Sequence, residues 1–279
     1  MKNLSFMLAL LAMLLYGCKD APVETSVAIP SGQRVSRLTT SYLRILNQDP
    51  LLDTVVVDGT VYSIASKDSM AFQYDSQDRL INFDRTQFSG GPGGSYTNGP
   101  LKNVYAYSNG QFQEVEGGTG SRFSYKLDNT QRRVLSRTKK RNLYTELDTL
   151  RQYSPEGILT SVQTANYRQV FTIENGNVTR IEQYSNRTNK LDQTTELTYD
   201  LAHTAPPAQF TFLGETSRNA LANKKVQDYT APGGAVTYTY SYRNLYDSQG
   251  RTIRQIEYHQ DSAINQGKPY FWTATDYYY

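Results

Sequence analysis

The sequence predicts an all-β protein, an antiparallel meander of hairpins forming one large sheet that is curved or partly closed. Three observations predict it. Short runs rich in Tyr, Thr, Val and Ile are divided by turn signals along the chain, several runs alternate between two residue classes, and a Tyr-Asp turn hexapeptide recurs between strand-like stretches. No long stretch holds the 3.6-residue period of an amphipathic helix. Curvature or closure is expected because many flat strands with open edges aggregate.

Residues 1–17 have the build of a secretory signal peptide. Lys2 precedes an uncharged apolar run over 4–15, too short to span a bilayer as a helix. The run ends in Leu15-Tyr16-Gly17-Cys18, with an aliphatic residue three places before the cysteine and a small one just before it. A lipoprotein signal peptidase requires that pattern, so lipidation is predicted at Cys18, the chain's only cysteine. Buried acyl methylenes contribute roughly 0.8 kcal/mol each, which makes a triacyl anchor effectively permanent. Residues 18–34 read as the lipidated N-terminus and a polar, Pro-bearing tether, and 35–279 as a single all-β domain.

Within that domain the clearest strand is Val236-Thr237-Tyr238-Thr239-Tyr240-Ser241-Tyr242, whose alternation puts Val236 and three tyrosines on one face and hydroxyl residues on the other. Looser alternation marks 70–74, 178–184 and 252–258. Tyr74-Asp75-Ser76-Gln77-Asp78-Arg79 and Tyr246-Asp247-Ser248-Gln249-Gly250-Arg251 are nearly one hexapeptide, and weaker copies begin at Tyr107, Leu127, Tyr153 and Ile173. From Tyr107 to Tyr199 the spacing is 20–26 residues, one hairpin per unit. Asp or Asn opens each turn through its side chain, and Gly, or Asp78 in the first copy, supplies the left-handed residue that closes it. The repeat therefore predicts hairpins and no catalysis.

These motifs resemble the YD repeats, Tyr-Asp-x-x-Gly-Arg, of secreted and surface proteins of bacteria. Phe212-Leu213-Gly214-Glu215-Thr216-Ser217-Arg218-Asn219, the strand at Tyr238-Thr239-Tyr240, the second hexapeptide and a closing Tyr277-Tyr278-Tyr279 are similar to the DUF4595 type of domain in Bacteroidota lipoproteins. The likeness covers residue 35 onward and is best from Phe210. The chain departs from the pattern at Ala222, where proline is more usual, and in an insert over 89–100. The resemblance implies an envelope lipoprotein with no assigned function, held at the outer membrane on its periplasmic or surface side. Lys19-Asp20 is similar to the export signals that carry such lipoproteins to the cell surface. Bacteroidota also attach O-glycans at Asp-Ser/Thr followed by a small or apolar residue, which points to Thr54, Ser69, Thr149 and Ser262.

Composition narrows the function. The 279 residues include 23 Tyr but 1 Trp, 2 His and 1 Cys. A net charge of +3 does not make a nucleic-acid groove. One cysteine forms no internal disulfide, and with two histidines it builds none of the usual zinc or iron–sulfur sites, so no metal or cofactor is expected. Gly90-Gly91-Pro92-Gly93-Gly94 lacks the Lys-Ser/Thr ending of a phosphate loop and reads as a hairpin loop. His259 lies near Asp261 and Ser262, but so short a stretch does not arrange a triad, and an exposed structural histidine is the simpler reading. The only basic concentration, Arg132-Arg133 and Lys139-Lys140-Arg141, has no aromatics within it and reads as a solvated hairpin face. The carboxylates are scattered through turns, so no catalytic residue is assigned.

The expectation is then a non-enzymatic lipoprotein, membrane-attached through its anchor, whose sheet binds or scaffolds a glycan or an envelope protein. Tyr270, Phe271 and Trp272 in the last strand are the candidate ligand contacts. Two alternatives stand beside it. A lipoprotein hydrolase acting on polysaccharide or peptide needs convergent groups that the sequence does not mark. An integral outer-membrane barrel needs apolar outward faces, whereas the face opposite the tyrosines is Thr, Ser, Gln, Arg and Glu.

Overall fold

The computed structural model describes residues 34–43, 54–57, 59–91, 94–130, 132–141, 144–260 and 270–279, so the signal peptide, Cys18 and the tether up to residue 33 lie outside the described residues. The strands described are β1 (Arg37–Leu43), β2 (Thr54–Val57), β3 (Thr60–Tyr74), β4 (Leu80–Gly91), β5 (Gly94–Ser108), β6 (Gln111–Val115), β7 (Arg122–Leu127), β8 (Val134–Arg141), β9 (Tyr144–Tyr153), β10 (Leu159–Thr164), β11 (Tyr167–Glu174), β12 (Asn177–Ser185), β13 (Leu191–Thr204), β14 (Asn219–Asp228), β15 (Val236–Tyr246), β16 (Thr252–Gln260) and β17 (Tyr270–Tyr278). From β3 to β17 each strand pairs antiparallel with the next, as expected of a meander. β1 pairs with both β3 and β17, so 16 strands close into a barrel. β2 stands outside the ring as a hairpin partner of the start of β3.

Connections in a meander alternate between its two ends. The Tyr-Asp hexapeptides and their weaker copies therefore gather at one end, and they form the turns that the sequence calls for. In the β3–β4 turn Asp75 Oδ1 accepts the backbone N–H of Gln77 and of Arg79, both at 2.9 Å, while Oδ2 accepts Arg79 Nε at 2.7 Å. Asp247 repeats this in the β15–β16 turn with Gln249 and Arg251 at 2.9, 2.9 and 2.8 Å. Asp78 and Gly250 occupy the left-handed position, at φ 61° and 76°. At the other end Gly91 pairs with Gly94, so the glycine-rich stretch is a hairpin connection, as expected.

Three tyrosines at the motif end share one structural task. Tyr107 donates to the Leu80 carbonyl at 2.9 Å, Tyr153 to Val134 at 3.0 Å and Tyr279 to Thr252 at 3.0 Å. Each accepting residue is the first of a strand that follows an earlier motif turn, and all three are at most 1% exposed. The arginine of that earlier turn lies over the same ring, Arg79 at 4.6 Å from Tyr107 and Arg251 at 4.5 Å from Tyr279. Around Tyr107 and Tyr279 a phenol, a guanidinium and a carboxylate thus link neighbouring hairpins.

Two apolar clusters lie on opposite faces of the wall. The larger one gathers Phe72, Leu80, Tyr105, Phe112, Phe123, Tyr125, Leu127 and Val134 with Phe212, which belongs to the 205–218 connection between β13 and β14. That connection starts on the opposite side of the ring from β5 and β6. Phe212 lies 4.9 Å from Phe112 and 5.5 Å from Tyr105, and Phe210 lies 5.3 Å from Phe83, so the segment crosses the lumen and fills it at the motif end. The smaller cluster is outside. A register shift between Tyr42 and Leu43 turns the start of β3 outward, and Val55, Val57 and Ile64 cover Ile256, Phe271 and Ala274 of β16 and β17.

Candidate functional site

The crossing segment identifies the inner face, because Phe72, Tyr105, Phe112 and Tyr125 meet Phe210 and Phe212 inside the ring. Residues paired in register share a face, and alternate residues along a strand do too. From Phe72 the inner face passes through Ser66 to Tyr42, from Tyr42 to Thr273, from Thr273 to Glu257, and so to His259. His259 pairs with Tyr240 and Tyr270, and Tyr240 with Lys224. Four strands therefore put Lys224, Tyr240, His259 and Tyr270 side by side in one row on the lumen wall, near the end opposite the motif turns.

The row is stacked. The Tyr240 and His259 rings are parallel within 5° at 4.6 Å, and the Lys224 ammonium sits 3.9 Å above the outer ring of that pair. Tyr270 Oη is 2.9 Å from His259 Nδ1. Trp272 meets both His259 and Tyr270 edge-on, at 5.7 and 6.1 Å, and Tyr238 lies 6.1 Å from His259. His259 is 9% exposed, and its Nε2 is buried with no hydrogen-bond partner. Burial first, then the neighbouring Glu257 carboxylate, raises the Tyr242 hydroxyl above its ordinary value, so it stays protonated and able to donate.

Other parts of the inner face are polar. Gln169, Gln183 and Gln193 are in register on β11, β12 and β13, and Gln169 Nε2 donates to Gln183 Oε1 at 2.9 Å. Asp68, 4% exposed, is paired with Arg85 at 2.8 Å. Glu114 accepts from Asn103 Nδ2 at 2.7 Å, from Tyr105 Oη at 3.1 Å and from Tyr125 Oη. The lumen thus combines an aromatic wall with amide and hydroxyl groups. Among the described residues no three His, Cys, Asp or Glu side chains group as metal ligands.

The sequence-derived candidates separate here. Tyr270 and Trp272 stand together in the row. Phe271, expected as an exposed contact, points the opposite way: it is 6% exposed beneath the β2–β3 hairpin, with its ring 4.8 Å from Tyr62. His259, expected to be exposed, is buried among aromatics. Of the modification candidates, Thr54 is exposed on β2 and Ser69 is half-buried on the outer face. Thr149 is 4% exposed and pairs in register with Arg137, whose neighbour Tyr125 is in turn a lumen residue, so it faces inward. Ser262 and Cys18 lie outside the described residues. Sequence reading missed Lys224, Tyr240 and His259 as one group; the available signal was the tyrosine-bearing face of β15.

No family profile and no curated protein matches the chain. Solved structures do. A porin-like protein from Bacteroides uniformis is 12% identical, with 88% of this chain and 97% of that one aligned at a TM-score of 0.54. A porin-like protein from Bacteroides vulgatus is 10% identical over 88% and 98%, at a TM-score of 0.27 too low to carry an argument. The closed ring of antiparallel strands and the first of these likenesses agree on one point: this chain is an antiparallel β-barrel, a fold it shares with that protein.

Proposed function

We propose that the protein is a lipid-anchored β-barrel of the outer membrane that keeps its wall in water and takes a ligand into its lumen, without catalysis. The observation that carries this reading is the charge on the outer wall. Register puts Lys102, Lys126, Arg180, Glu196 and Lys225 on the outward face, all exposed. A lipid-facing Lys or Arg near the bilayer midplane costs about 2–4 kcal/mol. Lys102, Arg180 and Lys225 stand in the middle stretches of their strands, where a lipid-facing cation is costly. Water outside the wall removes that cost, and the Cys18 pattern supplies the attachment that the wall does not. The segment 205–218 supports retention over passage, because it fills the lumen at the motif end with Phe210 and Phe212.

A second reading, the integral outer-membrane barrel, is favoured by the closure of the ring and by the fold shared with a porin-like protein. Alkaline carbonate extraction of membranes separates the two. Native protein is compared with a variant exported on an ordinary secretory signal in place of residues 1–18. The tethered reading expects the native protein in the membrane pellet and the variant in the supernatant. Retention of both in the pellet would overturn it in favour of the integral barrel. Protease shaving of intact cells then reports whether the barrel faces the periplasm or the surface.

A further inference from the structure

We infer that the lumen ligand is an oligosaccharide, and that Tyr240, His259, Tyr270 and Trp272 form the platform for one of its pyranose rings. The inference rests on the lumen-binding reading above and adds the ligand's chemistry. A pyranose has two apolar C–H faces and a girdle of hydroxyls, so its receptor needs an aromatic surface bordered by groups that both donate and accept hydrogen bonds. The row provides both. Tyr240 and His259 stack face to face with Lys224 over the other face of Tyr240, so this stack borders the site, and Trp272, edge-on beside it, supplies the aromatic surface. Tyr240, Tyr270 and Trp272 stay partly exposed to the lumen while His259 is 9% exposed between them.

The second observation is His259 Nε2. A buried ring nitrogen without a partner costs free energy that a native fold normally avoids. His259 Nδ1 already meets the Tyr270 hydroxyl, so the ring's orientation is set from one side and its other nitrogen is left for an incoming hydroxyl. Charge argues for a neutral sugar. Lys224 over Tyr240 is opposed within the next row by Glu257, so the platform has no excess of cations to hold a polyanion. The glutamines of β11–β13 offer paired amides, able to give and accept with sugar hydroxyls, elsewhere on the same inner face.

Trp272 is the chain's only tryptophan, so its fluorescence reports this site alone. The full-length protein, in a detergent without a sugar headgroup, is titrated with neutral oligosaccharides of α- and β-linked glucose, mannose and xylose. The expected result is a saturable change with at least one of them, weakened at least about tenfold in Tyr240→Ala and in His259→Phe, which keeps a ring but removes Nε2. Tyr184→Ala, on the outer wall, is expected to bind as the native protein does, and circular dichroism verifies that each variant is folded. No saturable change with any sugar, or equal binding by Tyr240→Ala, would overturn the inference. A neutral quencher separates the two levels. If acrylamide reaches Trp272 but no sugar binds, the ligand class is wrong and the open lumen stands; if it does not, the lumen-binding reading falls as well.

Discussion

Individual side chains hold the motif end together by hydrogen bonds with nameable partners. Tyr107 donates to the carbonyl of Leu80, a residue with no exposed surface. Tyr107→Phe removes that bond while keeping the ring under Arg79, so a loss of about 0.5–1.5 kcal/mol is expected in urea unfolding. Glu114 accepts from three side chains at 8% exposure, and Glu114→Ala leaves two phenols without their acceptor. The expected cost is about 3 kcal/mol, read in the same way. The turn aspartates give a pH dependence. Partial burial pushes Asp75 up, but its hydrogen bonds from Arg79 and Gln77 outweigh this and hold it below the ordinary aspartate value. The Arg251 backbone N–H is the main cause of the same lowering at Asp247. Carboxyls lowered in the fold contribute stability that is present above the unfolded-chain pKa of about 3.9 and is lost as pH falls through their folded values. Stability is therefore expected to decline below about pH 4, and less steeply in Asp75→Asn with Asp247→Asn, measured as Tm against pH.

At the level of elements, the 205–218 segment makes a close approach to the wall at Gly214. Gly214 has φ 96°, and a Cβ there would lie 2.6 Å from the Tyr153 ring and 2.7 Å from the Gly157 carbonyl. Gly214→Val is expected to displace the segment from the lumen, read as new protease cleavage within it while the strands stay protected. Phe212→Ala empties the centre of the larger cluster and is expected to cost about 3–5 kcal/mol. Much of this scale was legible beforehand. The Tyr-Asp copies locate the β3–β4 and β15–β16 turns to the residue, because side-chain bonding from Asp and a left-handed closing residue are local requirements. Alternation in 236–242 likewise put Tyr238, Tyr240 and Tyr242 on one face. What alternation does not say is which face is concave. Phe271 and Trp272 lie at a register shift in β17 that alternation does not foresee, and only the closed ring shows that Phe271 points outward. His259 was misread for the same reason: its isolation in sequence hides the tyrosines that β15 and β17 bring beside it.

For the whole molecule, closure depends on β1, which joins β3 on one side and β17 on the other. Thr40 and Thr275 bond across that seam although 235 residues separate them. A contact of that span forms late, because the chain between must first be ordered. Until β17 has been made and paired, the growing sheet carries two bare edges, each able to template against another molecule. Removing β17 is thus expected to convert the closed ring into a self-associating sheet, seen as concentration-dependent light scattering. β1 is made long before its partner β17, so the protein is most exposed to misassembly in the interval before that seam can close.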